Sequence, residues 1–98
     1  MVAVEWEGEF LMDAIHRFEL SITDGPQFVV MQIDSQVVYV GAQRGVLCIW
    51  ARVDTDMPME RRAFVVHGTG HPIVGREKRY LGTCVMSNGQ VWHVFDEE

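Results

Sequence analysis

Short runs of alternating apolar and polar residues constrain this chain most strongly, because only β-strands repeat with a period of two. Residues 15–22 alternate in this way around Phe18 and Leu20. Turn-forming pairs separate the later runs at Arg44-Gly45 and Asn88-Gly89. The asparagine–glycine pair is typical of a type I′ hairpin turn, in which both residues have positive φ. The pattern predicts a mainly β fold.

Seven runs are predicted to be strands because they are rich in β-branched and aromatic residues. They cover residues 15–22, 27–31, 36–43, 46–53, 62–67, 80–86 and 90–95. Strands this short and this regularly spaced predict a small antiparallel sheet of six or seven strands, forming a compact barrel or sandwich. The predicted core comprises Phe18, Ile49, Trp50, Phe64, Val66, Val85 and Trp92.

The 98 residues leave room for one domain, which we assign to residues 15–98. Residues 1–14 are predicted to be an N-terminal extension. We consider three structures for it: an edge strand, a helical turn, and a strand that pairs with a second subunit. The third would make the protein a homodimer. The apolar runs are far shorter than the roughly 20 residues of a membrane helix, and no secretory signal is recognisable. We therefore expect a cytoplasmic protein that makes no contact with a membrane.

The two cysteines, Cys48 and Cys84, each lie within an apolar stretch. Buried, reduced thiols are the usual state of such residues in a cytosolic protein. We therefore predict two free cysteines.

The net charge of -6 argues against general nucleic-acid binding, which needs many cations to neutralise phosphates. The charge is unevenly distributed. Residues 61–79 hold five basic residues and one acid, a balance of +4, so the remaining residues carry -10. A basic segment on an acidic body favours a partner or a small anion bound at that segment, although the charges would also keep a loop soluble.

The histidines and cysteines do not form a recognisable catalytic or metal-binding motif. His67 and His71 are four residues apart, but the intervening Gly68-Thr69-Gly70 prevents the helix that would place both on one face. The strand-His-x-Thr form of His67 resembles one half of a two-histidine phosphoesterase site, and the second half is absent. We predict a protein that is not an enzyme and holds no metal or cofactor.

A glycine turn beside the basic residues is the predicted binding site. Consecutive backbone N–H groups in such a turn can bind an anion, and arginines can grip a phosphate or carboxylate with two parallel hydrogen bonds. The predicted surface comprises Arg61, Arg62, Gly68, Thr69, Gly70, His71, Arg76 and Arg79. The alternative is a turn without a ligand, flanked by arginines that pair with nearby acids.

Five segments of the chain resemble a known family. Residues 46–54 read Val-Leu-Cys-Ile-Trp-Ala-Arg-Val-Asp, residues 68–73 read Gly-Thr-Gly-His-Pro-Ile, and residues 91–95 read Val-Trp-His-Val-Phe. Arg-Ala-Phe at 62–64 and Tyr-Leu-Gly-Thr at 80–83 lie between them. This order is similar to that of a family of small uncharacterised bacteriophage and prophage proteins. Its pattern is a Leu-Trp-Ala-x-Val-Asp strand, a Gly-Thr-Gly-His loop and a Trp-His-Val-Phe terminus.

The resemblance covers about residues 15–96 and implies a phage origin. It marks Thr69, His71, Trp92 and His93 as part of the family pattern. Our leading hypothesis is a phage-encoded, non-enzymatic protein that binds a bacterial host protein in the host cytoplasm and modulates its activity. The alternative is a binder, or sponge, for an anionic nucleotide signal that uses residues 67–79.

Overall fold

The computed structural model describes residues 13–73 and 77–97. These residues form seven strands, which confirms the predicted β fold. The strands are β1 (Asp13–Glu19), β2 (Gln27–Gln32), β3 (Gln36–Gln43), β4 (Val46–Asp54), β5 (Met59–Gly68), β6 (Glu77–Val85) and β7 (Val91–Glu97). None of the described residues belongs to a helix that could span a membrane.

The ends of the strands depend on backbone pairing with neighbouring strands rather than on local amino-acid composition. Met59 and Glu60, which the sequence placed in a loop, lie in β5 because they pair with Gln32 and Met31 of β2. At the other end of the chain, β1 begins at Asp13, two residues before the predicted domain. The alternatives for residues 1–12 lie outside the described part of the chain.

The strands form two antiparallel sheets that pack face to face. The three-stranded sheet has the order β1-β4-β3, and the four-stranded sheet has the order β2-β5-β7-β6. The described strands do not close into a barrel, so the architecture is a sandwich. The core between the sheets includes Ile49 of β4, Phe64 of β5 and Val94 of β7.

The core prediction is confirmed for the residues that lie on the inner faces of their strands. Ile49, Phe64 and Val66 are buried, and Phe18 and Trp92 pack against them. Val85 is 69% exposed, so its assignment to the core was wrong. Period-two alternation sends Val85 outward because its neighbour Cys84 faces inward.

Two further expectations concern Trp50 and the cysteines. Trp50 lies on the outer face of the three-stranded sheet, half-buried, with its ring centroid 5.6 Å from that of Tyr39. Its assignment to the core was therefore also wrong. Cys48 and Cys84 are both buried and both free, as predicted.

The two sequence-predicted hairpin turns have different geometries. Arg44 and Gly45 have φ values of 55° and 77°, the pattern of a type I′ turn. At Asn88-Gly89 only the glycine has positive φ, at 90°. The Gly89 N–H donates to the Met86 carbonyl, which makes a type I turn followed by a left-handed glycine. The type I′ prediction was wrong there because the loop has three residues rather than two.

The two sheets approach most closely along one seam, between edge strands β3 and β6. A Cβ atom on Gly82 of β6 would lie only 2.7 Å from Cγ2 of Val40 in β3. Valine cannot move aside easily because its χ1 angle is restricted. Gly82 therefore lets the sheets close here.

We predict that Gly82→Ala destabilises the protein by about 1–3 kcal/mol, because the added methyl group overpacks the seam. The free energy of unfolding in urea measures the effect. Val40→Ala is the matched variant, because it removes the methyl groups that the added Cβ would contact. The double variant should lose less stability than the sum of the losses of the two single variants. Strictly additive losses would show that Gly82 and Val40 do not limit the approach of the sheets.

Candidate functional site

The structure divides the predicted binding surface between the two ends of β5. Arg62 lies near the start of this strand and Gly68 at its end. Six residue steps of about 3.3 Å place their backbones about 20 Å apart. Arg62 and Arg79 are brought together at one end, whereas Gly68, Thr69, Gly70 and His71 form a turn at the other. Arg76 lies outside the described residues.

At the first end, Asp96 of β7 binds both arginines. Its Oδ2 atom accepts hydrogen bonds from Nη2 of Arg62 at 2.8 Å and from Nη2 of Arg79 at 2.6 Å. The side chains of Asp96 and Arg62 are only 2% and 9% exposed, whereas that of Arg79 is 64% exposed. The arginines therefore form part of a buried ion cluster that reaches the surface at Arg79.

Asp96 was not among the predicted site residues. It belongs to the acidic C-terminal group, which composition alone assigns to a solvated end. Strand alternation was the signal that could have found it, because Asp96 lies on the same face of β7 as Trp92 and Val94. Phe64 is its cross-strand neighbour in β5.

The ionisation of Asp96 reflects two opposing effects. Burial by itself would raise the pKa of this carboxyl group. The hydrogen bonds and charges of Arg62 and Arg79 outweigh burial and hold the pKa below its usual value. Asp96 therefore remains ionised in the folded protein at neutral pH and stabilises it there.

At the second end, the glycine turn is a type II β-turn. The His71 N–H donates to the Gly68 carbonyl at 3.1 Å, and Gly70 has a φ of 86°. This position of a type II turn requires positive φ, which glycine adopts without strain. The His71 ring covers Gly68 beside Trp92, and a Cβ on Gly68 would lie 2.9 Å from that imidazole ring. Local packing thus accounts for much of the Gly-Thr-Gly-His pattern.

A chain of hydrogen-bonded side chains holds this turn to the sheet. Nε2 of His93 lies 2.8 Å from Oγ1 of Thr69, and Nδ1 lies 2.9 Å from Oγ1 of Thr83. The Thr83 hydroxyl also bonds to the hydroxyl of Tyr80. Both ring nitrogens of His93 are therefore engaged within the protein. Among the described residues, no three His, Cys, Asp or Glu side chains are grouped as a metal site requires.

The outer face of the four-stranded sheet carries a set of large apolar side chains that sequence analysis missed. Phe28 and Val30 of β2 are each 56% exposed, and Tyr80 of β6 is 55% exposed. The Tyr80 and Phe95 ring centroids are 5.6 Å apart, and Val65 is buried beside them. We call Phe28, Val30, Val65, Tyr80 and Phe95 the aromatic face. Phe28, Val30 and Val65 lie in uninterrupted apolar runs, so the sequence did not show which residues of these runs face the core.

Arg61, a predicted site residue, belongs to the edge of this face. Its guanidinium carbon lies 4.2 Å from the centroid of the Phe28 ring, a cation–π contact. Glu97 pairs with Ala63 on the same side of the sheet. Arg61 and Glu97 are the charged residues of the aromatic face among the side chains that the structure describes.

Comparison with known proteins places the chain in a family. It belongs to the family described as "Domain of unknown function (DUF7352)", whose profile matches residues 12–98. No curated protein and no solved structure matches the chain.

We predict that Asp96→Asn lowers the free energy of unfolding at pH 7 by about 3–5 kcal/mol, because it leaves the buried Arg62 without its counter-charge. The pKa of Asp96 is lowered by folding, so its contribution is complete above about pH 4 and is lost as the pH falls through the folded-state pKa. The difference in the free energy of unfolding between wild type and variant should therefore decrease as the pH falls. Urea unfolding from pH 2 to pH 7 measures it.

Asp13→Asn is the matched control, because Asp13 pairs with Arg52 at an exposed site. Its loss should stay within about 1 kcal/mol. Equal losses for the two variants, or a gap for Asp96→Asn that does not change with pH, would contradict the role of the buried cluster.

Proposed function

We propose that this chain is a non-enzymatic protein-binding domain that attaches to its partner through the aromatic face. The observation that carries the proposal is the exposure of Phe28, Val30 and Tyr80 on one side of one sheet. An antiparallel sheet with one solvated face normally turns polar residues outward. Aromatic and arginine side chains are enriched where proteins bind one another, and Arg61 stacks on Phe28 here.

The outer face of the three-stranded sheet is the less suitable alternative. It also exposes apolar side chains, among them Ile15 and Tyr39. Two ion pairs lie on the same face, however, with Arg17 bound to Glu19 and Arg52 bound to Asp13. A partner would have to desolvate these charges, which costs free energy that apolar contacts must offset.

A non-enzymatic role is supported by the state of the candidate nucleophiles and bases. Burial raises the pKa of the Cys84 thiol, which keeps it protonated, and Cys48 has no exposed surface. His93 uses both ring nitrogens to position Thr69 and Thr83.

The partner we propose is a bacterial host protein, bound in the host cytoplasm, whose activity changes on binding. The phage resemblance of the sequence supports this choice. The net charge of -6 would accelerate encounter with a basic partner, such as a protein that normally receives nucleic acid. Self-association through the same face is the alternative, and light scattering of the purified protein distinguishes the two.

We predict that the double variant Phe28→Ala/Val30→Ala weakens partner binding at least tenfold, because both side chains would be buried in the interface. A tagged chain first captures the partner from a host lysate, and calorimetry with the purified partner then gives the dissociation constants. The melting temperature should change little, since both side chains are more than half exposed in the free protein.

The matched control is Val38→Ala/Tyr39→Ala. It removes a similar pair from edge strand β3 on the other sheet, where the side chains are 51% and 63% exposed. This variant should bind as tightly as the unmodified chain. The proposal fails if the two double variants bind equally well, or if the unmodified chain captures no stoichiometric partner.

A further inference from the structure

A cleft opens where the two sheets separate beyond the contact between Val40 and Gly82. Its volume is about 580 Å³, and it lies between residues 34–37, at the start of β3, and residues 79–81 of β6. This cleft uses Arg79, which the sequence predicted as a binding residue, together with Asp34, which it did not. The cleft is next to the aromatic face and shares Tyr80 with it.

The two walls of the cleft are attached to the same buried cluster. On one wall, the Ser35 carbonyl accepts a hydrogen bond of 2.5 Å from Nη1 of Arg62. On the other, Arg79 donates to Asp96, which also binds Arg62. This continuous chain of bonds passes from one wall to the other through the protein. The cleft is therefore preorganised, which reduces the entropy lost when a ligand binds.

Arg79 has the geometry of an anion-binding residue. Asp96 accepts a hydrogen bond from one terminal nitrogen of its guanidinium group, which fixes the orientation of the side chain. The side chain remains 64% exposed and lines the cleft. A guanidinium group has five N–H donors in a planar fork that fits two phosphate oxygens at once.

The opposite wall presents a group of different character. Asp34 has a φ of 64°, a conformation that non-glycine residues adopt rarely and that recurs at functional sites. The Ser35 hydroxyl donates to the Gln32 carbonyl at 2.6 Å and holds this turn in place. The Asp34 carboxylate accepts hydrogen bonds and repels anions. A ligand that satisfies both walls carries an anionic group at one end and hydrogen-bond donors, such as sugar hydroxyls, at the other.

We propose that the cleft binds a ribonucleotide. The phosphate binds Arg79, a ribose hydroxyl donates to Asp34, and the base stacks on the exposed ring of Tyr80. Arg79, Asp34 and Tyr80 are all lining residues of this cleft, and the ring of Tyr80 extends from its edge onto the aromatic face. The assignment does not depend on the protein-binding role of the aromatic face, which the Phe28 and Val30 variants test separately.

The test is a titration of the full chain with AMP, GMP, CMP and UMP, followed by the backbone amide signals in NMR spectra. We expect at least one nucleotide to shift the amides of residues 34–37 and 79–81. The corresponding nucleoside, which has no phosphate, should bind at least tenfold more weakly, a difference of about 1.4 kcal/mol. Arg79→Gln should cause a similar loss for the nucleotide and almost none for the nucleoside.

Two variants complete the experiment. Asparagine can adopt the positive φ of position 34, so Asp34→Asn should keep the turn intact. This variant should reduce the preference for the ribonucleotide over its 2′-deoxy form. Arg44→Gln is the control, because Arg44 is an exposed arginine outside both the cleft lining and the aromatic face, and this variant should bind as the wild type does. The proposal is overturned if no nucleotide shifts the cleft amides at millimolar concentration, if nucleotide and nucleoside bind equally, or if Arg79→Gln and Arg44→Gln have the same effect.

Discussion

The buried carboxylate of Asp96 is the contact on which much of this structure depends. It joins β7, which carries it, to Arg62 of β5 and Arg79 of β6, and Arg62 extends the connection to the β2–β3 turn at Ser35. A buried charge is tolerated only when it is paired and hydrogen-bonded. The two central strands of the four-stranded sheet, its edge strand β6 and the crossing between the sheets are thereby held in one arrangement.

The same cluster determines how basic residues reach the surface. Arg62 is buried in its ion pair with Asp96, whereas Arg79 binds the same carboxylate and remains exposed. Arg61 lies over the Phe28 ring on the outer face of the sheet. These three arginines, which belong to one basic segment of the sequence, thus occupy three different environments in the fold. The local excess of +4 is not one basic patch among the described residues, because β5 directs neighbouring side chains to opposite faces.

The Gly68–His71 turn and the Arg79 cleft lie at opposite ends of the sheet, and the aromatic face extends between them. The His93 hydrogen bonds hold one end of this face, and the Asp96 cluster holds the other. The exposed rings of Phe28 and Tyr80 therefore lie on a rigid sheet rather than on loops. A rigid apolar surface loses little conformational entropy when a partner binds, which favours recognition.

The sequence by itself determined the six or seven short strands, the two-residue hairpin loop at Arg44-Gly45 and the two buried thiols, since period-two alternation and turn-forming residue pairs are local properties. Only the tertiary structure decided which face of each strand meets the core, and hence that Val85 and Trp50 lie outside it. It also decided that Asp96 pairs with both Arg62 and Arg79. These outcomes depend on how the strands are divided between the two sheets. The pairing of Arg62 with Asp96 joins residues 34 positions apart, beyond the reach of any local pattern.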